Sequence, residues 1–424
     1  MARIDRIVVD RAPWATRVAF LASGEVIEIW VEGADRPSLI GAVALARVVA
    51  VHRELGAATV AIPGGEASLT DRSVVEGERL VVQIVRDGVA AKRPVARAGI
   101  ELSDGPVVLT PAMPGVGLSS SIRGKARRTG LKTALSAEVP AECGVLVRAG
   151  GADAAPEDLV AAARRLLQRW RAIQEAARSG EPPRWLEPPA SPIEAVRVHA
   201  PGVEPEVDEG GRLFEECGAA DALESALARR VALPDGGELV IDSVEAATLI
   251  DVNLSAGARE GFRRANEAAA LAAVRQIRLR GLRGVVLLDL PRMTDRAARA
   301  RVVQLVTEMT VDDPSPLQVL GWTPGGMLEM ARKGVRRPLA DDLLDVLADP
   351  PASSRAAAWN ALSGLRRGVG RIARPRLVVA PAVARWLDGP GRPILEAERA
   401  RLGHLKVVAD PALGRDVFRV ENED

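Results

Sequence analysis

The sequence predicts a multidomain protein of the α/β class, and three observations support this prediction. The chain has 424 residues, enough for two to four compact units with sizeable cores. Short segments that alternate apolar and polar residues occupy its first part, as expected for small sheets or a barrel. Residues 249–293 then read as strand, helix and strand, which is the pattern of a parallel βαβ unit.

Composition and charge limit the classes of function. The formal net charge is +1, so any contact with a polyanion must come from local clusters of cations. The two cysteines, Cys143 and Cys217, lack C-x-x-C spacing, and the 3 histidines lack the spacing of metal ligands. Reduced thiols favour a cytoplasmic location. No apolar run reaches about 18 residues and no charged leader precedes one, so we expect no membrane segment.

The first part of the chain is predicted to be rich in strands. RIVVD, TRVAFL and EVIEIWVE alternate in residues 1–34. LIGAVALARVVAV, AATVAI, RLVVQIV and PVVLTP are evenly spaced in residues 35–110 and fit a small β-barrel. PEDLVAAARRLLQRWRAIQEAARSG predicts a long amphipathic helix with proline and acids at its start. Residues 181–232 are rich in Pro, Glu and Gly and end in a helix around residues 221–230.

The βαβ unit carries the candidate functional residues. Asp251 and Asn253 fall on one face of its first strand, and the apolar run VVLL of its second strand ends in Asp289. Both acids then lie at carboxyl ends of parallel strands, where open α/β sheets place their sites. Two carboxylates there can share one Mg²⁺, which fills its octahedron with water and phosphate oxygens. Asn253 can orient a carboxylate or a phosphoryl oxygen.

A purely structural explanation of these residues stays open. Asp and Asn after a strand are often turn formers or helix caps. Two such acids on adjacent strands, with arginines between them, favour a functional site more than one acid alone does. The pattern by itself does not separate the two explanations.

The rest of the chain continues as alternating helices and strands. TDRAARARVVQLVTEM predicts a helix capped by Thr294 and Asp295, and PLQVLGW predicts a strand. PGGMLEMARKGVRR predicts a closing helix with a cationic end. Residues 351–424 alternate between helical segments, such as RAAAWNALSGLRR, and strand segments, such as RPRLVVAP.

Several of these blocks resemble one protein family in order and spacing. LPDGGELVIDSVEAATLIDVN, RQIRLRGLRGVVLLDLPRM and GMLEMARKGVR resemble the deoxyribonuclease-I-like catalytic subdomain of the ribonuclease E/G family, and weaker similarity covers nearly the whole chain. The resemblance implies a ribonuclease-H-like subdomain with an inserted OB-fold barrel and a 5′-sensor-like region, followed by the catalytic subdomain and a small C-terminal α/β domain. The family's two Mg²⁺-coordinating aspartates and supporting asparagine correspond by motif to Asp251, Asp289 and Asn253.

The resemblance also implies subdomain boundaries. The ribonuclease-H-like subdomain would take residues 1–34 and 181–232, and the OB-fold barrel would take residues 35–110. The 5′-sensor-like region would follow at 111–180 and the catalytic subdomain at 233–337. The linker and the C-terminal domain would take residues 338–424.

The barrel departs from the family where RNA bases would stack. The family's phenylalanine positions are Thr59 and Ala67, and no aromatic residue occurs between Trp30 and Trp170. Each stacking platform is worth about 1–3 kcal/mol, so their loss should weaken binding of single-stranded RNA. Three cations nearby are candidates for phosphate contacts, or equally for a solvated loop: Lys92, Arg93 and Arg97.

The 5′-sensor-like region departs as well. CGVLVRAGG matches a strand whose arginine, here Arg148, grips the terminal phosphate in the family, and a guanidinium suits that role. The threonine that follows it in the family is Ala149, and a second phosphate-contacting arginine is Pro316. The resemblance therefore implies blunted or absent discrimination between 5′ ends. The region also supplies a basic cluster: Arg123, Lys125, Arg127, Arg128 and Lys132.

Arginines surround the candidate acids in sequence. Arg259 and Arg263, which follow Asn253, are predicted to hold a phosphate backbone. Most of the others are expected to solvate an exposed helix face: Arg264, Arg278, Arg280 and Arg283. Beyond Arg337 the family's zinc-binding cysteine pair is missing, so we expect no zinc, and any homodimer would form without a zinc bridge.

Together these observations predict a Mg²⁺-dependent endoribonuclease that hydrolyses single-stranded RNA in RNA processing, rRNA processing included, or in decay, with Mn²⁺ as a substitute ion. Asp251 and Asp289 would bind the metal, which activates water and stabilises charge on the reacting phosphate. The alternative is a catalytically weak RNA-binding or scaffold paralogue, favoured by the missing aromatics and zinc link. A nuclease for DNA or a nucleotide phosphodiesterase would share the metal chemistry but lack contacts to the 2′-hydroxyl.

Overall fold

The computed structural model describes residues 3–70, 73–89, 92–234, 236–244, 246–255, 262–291, 293–311, 313–315, 317–334, 336–344, 353–368 and 372–423. The chain forms two compact units, one of residues 1–37 with 203–424 and one of residues 38–202. The predicted class, a mixed α/β multidomain fold, is confirmed. The assignment of named subdomains to the predicted ranges stays a prediction.

The first unit begins with an antiparallel sheet. Its strands, which the alternating segments predicted, are β1 (Arg6–Arg11), β2 (Ala15–Ala22) and β3 (Glu25–Gly33). Val8, Ala19 and Ile29 are almost fully buried in a core that these strands share with the C-terminal helices.

The second unit begins with a closed five-stranded barrel. Its strands are β4 (Val43–His52), β5 (Ala57–Ile62), β6 (Gly65–Leu69), β7 (Arg79–Arg86) and β8 (Val95–Arg97). They pair in the order β4, β5, β6, β8 and β7, and β7 closes the barrel onto β4. Small and branched apolar residues such as Ala46, Val60 and Val82 fill the interior. The closed barrel is consistent with the predicted OB-like domain.

A four-stranded sheet packed against helices completes the second unit. Its elements are β9 (Leu102–Asp104), β10 (Val107–Thr110), β11 (Gly115–Leu118), α1 (Lys125–Glu138), β12 (Gly144–Val147), α2 (Pro156–Ser179), β13 (Arg184–Glu187) and α3 (Pro192–His199). The predicted long helix is confirmed as α2, with Glu157 and Asp158 in its first turn. Strand β13 pairs with β4 of the barrel.

One strand predicted for the barrel lies in this second sheet instead. The segment PVVLTP forms β10, where Val107 pairs with Val147 of β12. Val107, Val108 and Leu109 are all buried, and β10 lies between β12 and β9 in the sheet and packs against α2. Even spacing in the sequence does not reveal which sheet a strand joins.

The central part of the first unit is a six-stranded sheet with two helices on one face. Its elements, after β14 (Glu206–Asp208), α4 (Arg212–Glu216) and α5 (Ala219–Leu227), are β15 (Arg230–Ala232), β16 (Gly237–Ser243), β17 (Ala247–Leu254), α6 (Phe262–Leu279), β18 (Gly284–Asp289), α7 (Arg296–Thr310), β19 (Leu317–Trp322) and β20 (Leu328–Arg332). The strand order is β15, β16, β17, β18, β20 and β19, and β14 pairs in parallel with β1. Helices α6 and α7 bury their apolar residues against the sheet. Residue Asp295 caps α7, as predicted, by accepting hydrogen bonds from the amides of Ala297 and Ala298.

The prediction of a closing helix in PGGMLEMARKGVRR is wrong. Residues Leu328–Arg332 form β20, which pairs with both β18 and β19. Leu328, Met330 and Arg332 are buried whereas Glu329 and Ala331 are half-buried, a period of two that fits a strand. Gly326, at φ +91°, makes the turn that joins β19 to β20.

The C-terminal part confirms the predicted alternation of helix and strand. Its elements are α8 (Leu339–Leu343), α9 (Ser354–Gly368), β21 (Pro375–Val379), α10 (Pro381–Asp388), α11 (Arg392–Leu402), β22 (Lys406–Ala409) and β23 (Phe418–Asn422). The three strands form one sheet with β21 in the middle. Within the described ranges, no helix is long and apolar enough to cross a membrane.

Candidate metal centre

The two predicted acids lie side by side on the six-stranded sheet. Strands β17 and β18 are parallel neighbours, and Asp251 pairs directly with Asp289. Paired residues of adjacent strands point to the same face, and their backbones are about 5 Å apart. On β17, Ile250 and Val252 are buried whereas Asp251 is exposed, so both acids lie on the face opposite α6 and α7.

The surroundings of the pair leave both carboxylates available. Asp251 and Asp289 are exposed, and no lysine, arginine or histidine in the described part of the chain forms an ion pair with either. Nδ2 of Asn253 donates a hydrogen bond of 3.1 Å to Oδ2 of Asp251. Two like charges in direct register repel each other, so a cation bound between them would stabilise this arrangement.

This donor set fits a hydrated Mg²⁺. Mg²⁺ is usually bound through one or two carboxylates and keeps several waters, and the pair provides two. No cluster of three or more His, Cys, Asp or Glu side chains suited to a metal occurs among the residues described. The pair therefore offers the type and number of ligands that Mg²⁺ usually takes from protein side chains.

Two residues that the sequence reasoning missed hold the chain just after Asp289. Asn266 on α6 is 2% exposed, and its Nδ2 donates to the Pro291 carbonyl at 2.8 Å. Nε of Arg299 on α7 donates to the Met293 carbonyl at 2.5 Å. The guanidinium of Arg299 lies 5.0 Å from the ring centroid of Trp322. The sequence marks Asn266 as unusual because it is a polar residue at an apolar helical position. No feature of the sequence separates Arg299 from the other arginines of its helix.

The predicted cations near the centre divide into different environments. Arg263 is 61% exposed on its side chain and lies 3.3 Å from Glu267, one turn along α6. Arg259 lies outside the described residues. Arg278 is fully buried and bonds to Glu28 at 3.0 Å, which corrects the prediction of an exposed helix face. Arg280 is also buried, and burial lowers its pKa to about 10.

Two of the three barrel cations predicted to contact phosphates form ion pairs with acids. Arg93 lies 2.9 Å from Glu66, and Arg97 lies 3.0 Å from Glu101. Lys92 is exposed. Thr59 and Ala67, which replace the family's aromatic positions, are both buried, and Thr59 forms a hydrogen bond of 3.0 Å with His52.

The predicted phosphate residues of the sensor-like region are exposed. Arg148 follows β12 directly, and Arg123 precedes α1. Two other members of the basic cluster have structural roles instead. Arg127 donates to the Ala154 carbonyl at 2.7 Å, and Arg128 donates to the carbonyls of Ser119 and Ile122, each at 2.8 Å.

Comparison with known proteins gives a consistent result. The model of the Ribonuclease E/G family matches residues 102–199 and 194–335. Ribonuclease G of Salmonella typhimurium is 25% identical over 399 residues, covering 78% of this chain and 80% of that protein. Ribonuclease E of Haemophilus influenzae is 30% identical over 297 residues, covering 61% of this chain but only 32% of that protein. Ribonuclease E of Nostoc sp. is 30% identical over 295 residues, covering 60% of this chain and 43% of that protein.

Proposed function

The chain belongs to the ribonuclease E/G family. We propose that it is a metal-dependent endoribonuclease that cleaves single-stranded RNA, with Asp251 and Asp289 as its catalytic residues. The observation that carries this proposal is the direct register of the two exposed acids on adjacent parallel strands. A pair held in this way by sheet hydrogen bonds presents its oxygens to one ion without rearrangement of the backbone.

Each residue of the centre then has a distinct role. Asp251 and Asp289 supply carboxylate oxygens for Mg²⁺ or Mn²⁺. Asn253 fixes the rotation of the Asp251 carboxylate through the hydrogen bond to its Oδ2. When bound, the ion supplies activation of water and neutralisation of the charge that develops on the scissile phosphate. Hydrolysis would leave a 5′-phosphate on the downstream product.

Recognition of the 5′ end is proposed to be weak. Arg148 is available for a terminal phosphate, but Ala149 has no donor side chain to assist it. Each missing charge-assisted hydrogen bond removes about 1.5–3 kcal/mol of possible binding energy. We therefore expect 5′-monophosphate and 5′-hydroxyl substrates to be cleaved at rates within about threefold of each other. Such a ratio corresponds to a free-energy difference well below the roughly 1.4 kcal/mol of a tenfold preference.

A cleavage assay tests the proposal directly. An unstructured RNA oligonucleotide is incubated with the protein in Mg²⁺, Mn²⁺ or EDTA, with Asp251→Asn in parallel and a DNA oligonucleotide of the same sequence as a second substrate. We expect cleavage of RNA with either ion and none in EDTA or with the variant. Cleavage that persists in EDTA, or with Asp251→Asn, would contradict the metal mechanism, and cleavage of DNA alone would contradict the substrate.

The second candidate function is an RNA-binding paralogue with little turnover. The observation that favours it is the barrel, where Thr59 and Ala67 are buried and offer no stacking surface. In the same assay, RNA binding without cleavage under any metal condition would select this function over the first.

A further inference from the structure

The outer wall of the barrel carries a row of side chains that runs across four strands. Arg47 on β4 pairs with Arg79 on β7 and with Ala61 on β5. Ala61 in turn pairs with Glu66 on β6. Their sequence neighbours, such as Ala46 and Leu80, fill the barrel core, so the row itself faces outward. With about 4.8 Å between strands, the row is about 14 Å long.

Arginines dominate one end of this row. Arg47 and Arg79 lie directly opposite each other, an arrangement of like charges that destabilises a sheet unless an anion compensates it. Arg184 on β13 lies beside these two arginines, because both Arg184 and Arg79 contact Gly180. The Nη1 atom of Arg184 lies 3.1 Å from the position that a Cβ on Gly180 would take, and Arg79 donates to the Gly180 carbonyl. We call Arg47, Arg79 and Arg184 the arginine band.

Among the residues that the structure describes, Glu181 is the one carboxylate that forms an ion pair with the arginine band, and it is held loosely. Oxygens of Glu181 lie 3.9 Å from Arg47 and 3.6 Å from Arg79, longer than a charge-assisted hydrogen bond of about 2.8 Å. The Glu181 side chain is 80% exposed, so it is free to move away. The arginine band therefore keeps about two uncompensated positive charges on an exposed surface.

A phosphate group fits this surface better than Glu181 does. A guanidinium presents paired donors that match a phosphate, and two guanidinium groups carry four terminal NH₂ groups, one of which, on Arg79, already donates to the Gly180 carbonyl. The row continues past Ala61, whose small side chain projects little from the barrel surface, to Glu66 and its partner Arg93. Proteins that bind single-stranded nucleic acid commonly hold its backbone in a positively charged groove.

We propose that the arginine band is a binding site for the phosphodiester backbone of single-stranded RNA, and that Glu181 occupies it in the free protein as a substitute for a phosphate. RNA displaces Glu181 when it binds. The choice of RNA rests on the proposed function, whereas the site itself rests on the contacts above. The site lies apart from Arg97, whose charge is engaged by Glu101.

One structural role has to be separated from this binding role. Arg79 and Arg184 lie at the C-terminal end of α2, where cations stabilise the helix dipole. Arg79 additionally bonds to the Gly180 carbonyl, so its replacement would disturb packing as well as charge. The informative substitutions are therefore Arg47→Gln, Arg184→Gln and above all Glu181→Gln, which removes a charge without removing a short hydrogen bond.

The test is RNA binding measured by fluorescence anisotropy with a labelled oligouridylate in EDTA, at several salt concentrations. We expect Arg47→Gln and Arg184→Gln each to weaken binding about threefold and to reduce the salt slope by about one. Glu181→Gln should tighten binding by about threefold. Arg164→Gln, which makes the same charge change at an exposed ion pair on the N-terminal half of α2, is the control and should bind as the unmodified protein does.

The sign of the Glu181→Gln effect decides the proposal. Equal or weaker binding by Glu181→Gln, or an Arg47→Gln effect no larger than that of Arg164→Gln, would overturn the arginine band. Thermal unfolding of each variant reports any loss of helix capping, which would appear in the melting temperature and not in the salt slope. If the unmodified protein binds no RNA, the proposed function fails as well; if it binds and cleaves RNA while the variants match the control, only the arginine band fails.

Discussion

The acid pair of the six-stranded sheet and the ion pairs of the barrel use charge in opposite ways. On the two adjacent central strands, Asp251 and Asp289 are paired in register and no cation among the described residues neutralises them. On the barrel, outside the arginine band, Arg93 and Arg97 each lie within 3.0 Å of a glutamate. Uncompensated like charges indicate a site that binds a counter-ion, whereas compensated charges are part of the fold.

The largest effect on activity is expected for substitutions of the acid pair itself. Asp251→Asn or Asp289→Asn should reduce the cleavage rate on the order of 10³-fold or more, because residues that act as one unit are lost together. Stability should stay equal or increase slightly, since each change removes a repulsion between exposed like charges. Steady-state cleavage and thermal unfolding measure the two effects.

The matched control for these variants is Asp242→Asn. Asp242 belongs to the neighbouring strand β16, but it is bonded to Arg229, which lowers its pKa. Its carboxylate is therefore engaged, and we expect cleavage close to that of the unmodified protein. Equal losses in Asp242→Asn and Asp251→Asn would show that general charge at this sheet, rather than the register of two acids, controls the rate.

A smaller effect is expected where the chain after Asp289 is held. Asn266→Ala removes the hydrogen bond that the buried Asn266 side chain donates to the half-buried Pro291 carbonyl, at a cost of about 1–3 kcal/mol in stability. It should also raise the Mg²⁺ concentration needed for half-maximal cleavage by about tenfold, as loss of residues that orient metal ligands usually does.

The control for Asn266→Ala comes from the same helix. Gln276 is also buried on α6, but its side-chain oxygen accepts a hydrogen bond from Arg280, four residues along the chain, instead of holding the segment after Asp289. Gln276→Ala should therefore destabilise the protein without changing the Mg²⁺ requirement. If both variants change stability alone, Asn266 has a structural role only.

The comparison also shows what the sequence can predict. The alternation in LIDVN and the apolar run before Asp289 predict two acids on adjacent parallel strands, and the structure places them so; only Asp289 ends its strand, because β17 continues past Asp251 to Leu254. The strand Leu328–Arg332 was predicted as a helix because its five residues are too few to separate a period of two from a helical period. Arg93 pairs with Glu66 of another strand, β6, so no local pattern indicates this ion pair, whereas Arg97 and Glu101 are only four residues apart.

The same limit applies to Asn266 and Arg299. Each bonds to a backbone carbonyl, and a carbonyl carries no side-chain signature in the sequence. Asn266 was detectable only as a polar residue on an apolar helix face, and Arg299 was indistinguishable from the other arginines of TDRAARARVVQ. Residues that act through main-chain contacts are therefore the part of a site that requires a structure.

The smallest effect is expected for Arg97→Gln on the barrel. Arg97 lies 3.0 Å from Glu101 and is only 30% exposed on its side chain, so RNA would have to displace an established ion pair to reach it. We expect RNA affinity, measured in EDTA by fluorescence anisotropy, to change by less than about twofold, below the contribution of one phosphate contact. Glu101→Gln is the informative companion: if Arg97 were a latent phosphate ligand, releasing it from Glu101 would tighten RNA binding. A clear gain with Glu101→Gln, together with a loss for Arg97→Gln, would mean that compensated charges on the barrel also bind RNA, and the distinction between the two regions would fail.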